Sequence, residues 1–147
     1  MVLDMKMVFR FLEHTADAYV EAYGGSLGEA FGSAGLGFTD VMTELEAVKP
    51  ETESVLVVEG QDEKALLYSW LEELLLEFEL RGMIYSRFEV FSIKETGEGF
   101  RLEAKAWGEK YDPKRHVSKV GIKAATYHQM QIIKEADGVT VRFILDI

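Results

Sequence analysis

Three carboxyl groups from the two ends of the sequence could together bind a cation. Asp146 ends the alternating segment Val139 to Asp146, and the α-carboxylate of Ile147 follows it directly. If the loop that holds Asp17 packs beside this terminus, three carboxylates converge. Two such charges about 4 Å apart repel each other by roughly 4 kcal/mol at an effective dielectric constant of 20, so a dry cluster must bind protons or a cation. All-oxygen ligands suit a hard ion such as Ca²⁺, or Mg²⁺ in octahedral geometry.

The spacing alone leaves two other arrangements open. In the plainer one, the terminus is solvated and Asp17 caps a turn. In the other, His14 joins Asp17 in a His/Asp metal site or an acid–base pair. None of the three histidines stands at helical i, i+4 spacing from another, and a histidine that orients a turn through a ring nitrogen is the commoner case. Direct catalysis by His14 is therefore the less favoured hypothesis.

A short basic stretch interrupts an otherwise acidic chain. The 147 residues include 16 Lys and Arg against 26 Asp and Glu, a net charge of −10. This balance argues against a domain that coats nucleic acid by charge alone, because non-specific affinity for phosphates comes from Lys and Arg. The segment Lys110 to Lys123 has five basic residues and one acid, Asp112, for a local charge of 5 − 1 = +4. It predicts a docking patch for an acidic partner or an RNA phosphate, with an ordinary solvated loop as the alternative.

Several classes of protein are excluded by what the sequence lacks. It contains no Cys, which removes disulfide scaffolds, thiolate zinc sites and cysteine nucleophiles. It has no phosphate-binding glycine loop, nucleophile elbow or His-Glu-x-x-His zinc motif. No apolar span of about 20 residues occurs, and Asp4 and Lys6 interrupt the N-terminus where a signal peptide needs an apolar core. We therefore expect a soluble, cytoplasmic protein that does not associate with membranes.

The elements that must position these groups follow from the hydrophobic pattern. Helical spacing of apolar residues predicts two helices. The first begins at Ser26, which forms a capping box with Glu29, and ends near Thr43. The second begins near Asp62 and ends at the Arg-Gly pair 81–82. The predicted strands are Val8 to Leu12, Ala18 to Tyr23, Ser54 to Glu59, Ile84 to Glu95, Phe100 to Glu109, Ile122 to Ile133 and Val139 to Asp146.

Irregularities in the pattern add detail to this outline. A shift in the alternation after Val90 predicts a β-bulge, and Asp137-Gly138 predicts a two-residue hairpin turn. Four glycines in the first helix predict close packing against a sheet: Gly28, Gly32, Gly35 and Gly37. At this length the chain is about one domain. We predict an α+β fold, a single domain in which two main helices pack on a mostly antiparallel β-sheet system.

Five short blocks of sequence together resemble the archease family. Each is weak alone, but they occur in the family's order, and the chain ends in the family's Asp-Ile. The resemblance runs from Val8 to Ile147 and leaves Met1 to Met7 as a leader outside the domain of residues 8–147. The blocks are F-x-F-x-E-H-T-A-D at 9–17, G-x-S-L-x-E-A-F at 24–31, W-G-E at 107–109, K-A-x-T-Y-x-x-M at 123–130 and the terminal D-I.

The resemblance implies a function that is not enzymatic. Archeases are known as activators of the RtcB-type RNA ligase of tRNA splicing, promoting its guanylylation and multiple turnover, and a chaperone-like effect on a tRNA methyltransferase is also attributed to them. Direct contact with tRNA stays open. A stand-alone metal-dependent hydrolase and a general chaperone of tRNA-modifying enzymes are the alternatives.

The resemblance also assigns residues. The family's metal-binding acids correspond to Asp17, Asp146 and the terminal Ile147, and the implied ion is Ca²⁺, with Mg²⁺ or Mn²⁺ as alternatives. Two further residues of the matching blocks, His14 and Lys123, are candidates for a role in activation. We therefore expect a metal-binding acidic tip on a protein whose partner is the ligase.

Overall fold

The computed structural model describes residues 8–12 and 17–147. In this part of the chain, two α-helices, one 3₁₀ turn and eight strands follow one another. They are β1 Phe9–Leu12, β2 Asp17–Gly24, α1 Leu27–Met42, the 3₁₀ turn Leu45–Ala47, β3 Thr52–Gly60, α2 Glu63–Arg81, β4 Met83–Thr96, β5 Gly99–Lys110, β6 Ala124–Ala125, β7 Gln131–Glu135 and β8 Gly138–Asp146.

The strands form two antiparallel sheets. Sheet A contains β1, β2, β8, β6 and β7, and β8 lies at its centre. One edge of β8 pairs with β2, and its other edge pairs first with β7 and then, near its end, with β6. Sheet B is three-stranded in the order β3-β5-β4. The last strand of the sequence thus lies between β2, which is distant in sequence, and β6 and β7, which come just before it.

Both helices lie between the sheets. The first, α1, packs on β2 of sheet A and on β4 of sheet B, whereas α2 packs chiefly on β3 and also contacts β6 and β7. Trp70 joins the layers, because its buried indole donates a hydrogen bond to the Phe31 carbonyl oxygen at 2.8 Å and its ring meets Phe88 edge-on. Burial of such apolar side chains is the main stabilising contribution to the fold. This arrangement confirms the predicted single α+β domain with two helices on antiparallel sheets.

The helix ends are where the local rules place them. Ser26 accepts a hydrogen bond from the main-chain N–H of Glu29, and Asp62 accepts one from Ala65. Gly82 ends α2 in the left-handed conformation, with φ of 68°, which glycine adopts at little cost. Of the described residues, no helix is long and apolar enough to cross a membrane.

The glycines of α1 do allow a close approach to sheet B, as predicted. A Cβ atom at Gly35 would lie 2.6 Å from the Phe88 ring, and one at Gly28 would lie 3.2 Å from a Val90 methyl group. A larger side chain at Gly35 would therefore push α1 away from β4. The helix tolerates the lower propensity of glycine because the gain is contact with β4.

Three details of the outline were wrong or missed. The predicted strand Ile122 to Ile133 is divided into β6 and β7, because the chain leaves the sheet where Tyr127 stacks on Tyr68 of α2 and Gln129 adopts a φ of 56°. The hairpin turn consists of residues 136 and 137, and Gly138 already pairs with Glu135. The predicted bulge of β4 after Val90 is confirmed, but a second one lies at residues 85–87.

Candidate functional site

The pairing of β2 with β8 places Asp17 directly across from Asp146. On its other side Asp146 is paired with Ala124 of β6. A row of three residues therefore crosses three strands at one end of sheet A, and we call it the tip. The packing that the sequence could only assume, with Asp17 beside the end of the chain, is what the structure shows.

The two aspartates point to the same face of the sheet. Val20 and Phe143 are fully buried against the helices, and residues at even spacing from them share their face. Asp17 and Asp146, at odd spacing, are therefore on the opposite face. Directly opposed residues have Cβ atoms about 4.5–5.5 Å apart, and like charges in such a pair are destabilising. A cation between them would remove this cost.

Two residues next to the tip, Lys123 and Ile147, are fixed in place by other parts of the fold. The Lys123 N–H donates a hydrogen bond to the Asp146 carbonyl oxygen at 2.7 Å, which brings Lys123 to the tip although its side chain is exposed. Ile147 is partly buried and packs against the core, whereas the Asp146 side chain is exposed, so the plainer prediction of a solvated terminus stays a prediction. His14 lies outside the described residues.

The donor atoms at the tip are all oxygen. Among the described residues no group of three His, Asp or Glu side chains comes together to hold a metal, so the two aspartates need a third donor. The carboxylate of Ile147 is of the required kind. Carboxylate oxygens are the ligands preferred by hard cations such as Ca²⁺ and Mg²⁺, and the residues of the tip fit such an ion in chemical type.

A network of charges stiffens the same face behind the tip. Glu21 accepts hydrogen bonds from Arg10 at 2.6 Å and from Arg142 at 2.8 Å, across β1, β2 and β8. Burial raises the pKa of Glu21, but the bonds from the two guanidinium groups outweigh burial and lower the pKa below its ordinary value. Arg142 also donates to Gln131, so four strands are joined by side chains.

The basic segment Lys110 to Lys123 is a loop, as predicted, after Lys110, which ends β5, but two of its basic side chains are paired with acids from elsewhere in the chain. Lys119 lies 3.6 Å from an Asp40 carboxylate oxygen and 3.4 Å from that of Glu44, and Arg115 pairs with Glu109. Two of the five basic side chains are therefore paired with acids outside the segment, and Lys110 donates a hydrogen bond to the Arg81 carbonyl oxygen. This weakens the expectation of a docking patch for phosphate.

His116 is a buried group that the sequence did not single out. Its Nδ1 accepts the N–H of Asp112 at 2.8 Å, so Nε2 carries the proton and donates to Glu109, also at 2.8 Å. Burial raises the pKa of Glu109, but hydrogen bonds from Arg115, the Lys49 N–H and His116 lower it to about 2. This cluster anchors the start of the loop that leads to Lys123.

Comparisons with known proteins agree along nearly the whole chain. Residues 9–147 match the Archease protein family (MTH1598/TM1083). The archease of Sulfurisphaera tokodaii is 40% identical over 139 residues, which is 95% of this chain and 98% of that protein. The archease of Pyrococcus abyssi is 44% identical over 126 residues, 86% and 88% of the two chains.

Solved structures agree with the sequence relatives. The solution structure of Methanobacterium thermoautotrophicum protein 1598 superposes with a TM-score of 0.81 at 35% identity, covering 97% of this chain and all of that one. A Thermotoga maritima protein described as an archease and possible chaperone shares the fold, with a TM-score of 0.59 at 19% identity over 94% of this chain and 96% of that one. By family match, sequence identity and fold, the chain belongs to the archease family.

Proposed function

We propose that this protein is a non-catalytic activator of an RtcB-type RNA ligase, acting in tRNA splicing by promoting ligase guanylylation and multiple turnover. The observation that carries the proposal is the pairing of Asp17 with Asp146 across β2 and β8. Two directly opposed carboxylates can act together as oxygen ligands of one hard cation.

In this proposal Asp17, Asp146 and the carboxylate of Ile147 hold a divalent cation, Ca²⁺ with Mg²⁺ or Mn²⁺ as alternatives. A bound ion supplies positive charge that offsets the repulsion of the carboxylates and can attract an anionic group of a nucleotide or of the ligase. The chain's own contribution is placement. The N–H of Lys123 holds the main chain at Asp146, and the charge network around Glu21 keeps the face behind it rigid.

The functional test is the variant Asp146→Ala in a reconstituted ligation assay. With ligase limiting, we expect stimulation of guanylylation and of repeated turnover to fall to the level of the ligase alone, because the tip has lost one of its two side-chain carboxylates. Glu135→Ala is the matched control, since Glu135 is an exposed acid in β7 of the same sheet. Full stimulation by a folded Asp146→Ala protein would refute the proposed role of the tip.

The metal assignment has its own measurement. Calcium titration by calorimetry should give an affinity at least about tenfold lower for Asp17→Ala than for the parent protein, a conservative figure taken from the loss typical of groups that only orient metal ligands. Adding Gly-Ser after Ile147 should have a similar effect, because it removes the carboxylate from its position. If both altered proteins bind calcium as the parent does, these groups are not the ligands.

A chaperone role is the second candidate, and two observations favour it. The Thermotoga maritima relative is described as a possible chaperone, and the surface of this protein exposes large apolar side chains, among them Leu80 at 78%. A chaperone of a tRNA methyltransferase or a similar enzyme would act through such apolar surface. It would therefore keep its effect in the Asp146→Ala variant, which separates the two candidates.

A further inference from the structure

The outer edge of β3 is open in the described part of the chain. β3 is the edge strand of sheet B, and all nine of its residues pair with β5 without a register shift. No main-chain or side-chain hydrogen bond from the described residues reaches the main chain of residues 53–59 on the other side. An open edge of this length is a template for an additional strand.

The opposite edge strand of sheet B, β4, is protected against pairing with a further strand. β4 has two register shifts, and bulges of this kind discourage further pairing. In addition α1 packs against its main chain, so that a Cβ at Gly28 would lie 3.5 Å from the Val90 carbonyl oxygen. β3 has neither device, and it contains no Lys, Arg or Pro. Within sheet B, the unprotected edge is therefore that of β3.

The exposed face of β3 has a distinct pattern of side chains. Val55 is 61% exposed and Val57 is 39% exposed, and Glu53 and Glu59 flank them on the same face. Lys105 lies 4.0 Å from Glu53, and Arg101 lies 3.4 Å from Glu59. Glu53 also accepts a hydrogen bond from the Trp107 indole at 3.2 Å. Ion pairs this exposed contribute little, and each carboxylate has lone pairs left for a further cation. The pattern calls for a strand with apolar residues at its centre and cations at its ends.

The helix α2 also exposes a mixture of apolar and acidic side chains. α2 packs chiefly on β3, and its solvent side exposes Leu76 and Leu80 beside the exposed acids Glu72 and Glu79. Exposed apolar surface rimmed by charge is typical of protein interaction sites.

A second copy of the chain fits this edge poorly. Antiparallel self-pairing centred on Leu56 would place Glu53 opposite Glu59 of the other copy, twice in each dimer. Like charges directly opposite one another destabilise a strand pair. A strand with Lys or Arg at those two positions would meet each glutamate with the opposite charge.

From these observations we infer that the edge of β3 docks an extended basic segment of a partner protein, which adds a fourth strand to sheet B. The main chain of the segment supplies the hydrogen bonds, and its alternate side chains supply the specificity, as in other cases of strand addition. The inference goes beyond the proposed function, because it concerns a surface of sheet B and not the tip.

The test uses the whole protein and a synthetic nine-residue peptide, Thr-Lys-Thr-Val-Thr-Val-Thr-Lys-Thr, with blocked ends. Aligned antiparallel, its lysines lie opposite Glu59 and Glu53 and its valines opposite Val57 and Val55. Binding is followed by fluorescence anisotropy and by amide hydrogen exchange. We expect exchange at the edge-facing amides of β3 to slow at least about tenfold at saturation, with amides of β8 unchanged.

Two peptide controls separate strand pairing from simple charge attraction. A peptide with the same side chains but N-methyl groups on alternate amides cannot form the ladder, and a peptide with Glu in place of Lys meets like charge. Both should bind at least about tenfold more weakly. Equal binding by the N-methylated peptide, or no change in exchange in β3, would overturn the inference.

Protein variants complete the design. The double variant Val55→Lys, Val57→Lys places gatekeeper charges on the edge and should abolish peptide binding. Val117→Lys, Val120→Lys makes the same change in charge at two exposed valines of the loop and should leave binding intact. Equal loss in both variants, or a dimer in sedimentation that the β3 variant dissociates, would also overturn it. None of these measurements involves the ligase or the tip.

Discussion

Glu109→Gln is expected to destabilise the protein by about 2 to 3 kcal/mol at pH 7. The carboxylate of Glu109, whose side chain is only 11% exposed, accepts hydrogen bonds from Arg115, the Lys49 N–H and the His116 ring. Removing one partner of a buried ion pair costs about 3–5 kcal/mol. The lower figure allows for solvent screening at Arg115, which is 39% exposed.

The pH dependence of this effect has a definite sign. The pKa of Glu109 is about 2 in the folded protein against an ordinary value of 4.5, so between these values the unfolded state binds more protons. The stabilisation is complete above the unfolded pKa and is lost as the pH falls from about 4.5 to about 2. Urea unfolding at several pH values should show the parent and the variant converging across this range.

Glu103→Gln is the control for this measurement. Glu103 lies in the same strand and bonds Arg101 at 3.2 Å, but it is 35% exposed, so its substitution should change the free energy of unfolding by less than about 1 kcal/mol. A Glu109→Gln protein as stable as Glu103→Gln at pH 7 would show that the cluster around His116 is not stabilising.

Gly108→Ala is expected to cost about 3 kcal/mol or more. Gly108 is in the central strand of sheet B, opposite Tyr85 and next to the first bulge of β4. A Cβ there would collide with the carbonyl oxygen of Ile84 and lie 2.7 Å from its carbonyl carbon. Main-chain atoms cannot rotate away as a side chain can, so β4 and β5 must separate. Such overpacking reaches the upper end of the usual range of about 1–3 kcal/mol or exceeds it.

Thermal and urea unfolding of Gly108→Ala should be compared with Gly97→Ala. Gly97 is in the turn between β4 and β5, and apart from its chain neighbours no atom of the described residues lies within 4 Å of a Cβ placed there. We expect the turn variant to be within about 0.5 kcal/mol of the parent protein. Equal stability of the two variants would mean that β4 can move away from a Cβ at position 108 without loss of stability.

Local signals in the sequence were sufficient for the helices and for most strands. The capping residues Ser26 and Asp62 and the terminating Gly82 act within one turn of the chain, and the structure has them in those roles. The bulge near Val90 was visible as a shift in alternation. The bulge at residues 85–87 also had a signal, since an isolated glycine in a strand, here Gly108, indicates a bulge or a close main-chain approach.

The candidate site was only partly predictable, because its parts are distant in sequence. The alternation of apolar residues in β8 predicted which face of the strand carries Asp146. The strand that pairs with β8 depends on long-range contacts, which no local pattern specifies. Tyr127 shows the same limit, since its apolar neighbours suggested one long strand and its stacking on Tyr68 diverts the chain. His116 lies among basic residues, and its burial depends on Glu109 and on the fold around the loop.

The central position of β8 also has a consequence for biosynthesis. β8 is synthesised after β2, β6 and β7, yet all three pair with it, and Val141, Phe143 and Leu145 fill the core without exposure. Non-local pairings of this kind form late and slowly. Asp17 is synthesised early, but it can pair with Asp146 only after β8 has been synthesised and has joined sheet A. Any partner that recognises both aspartates together would bind only molecules in which β8 has already paired with β2.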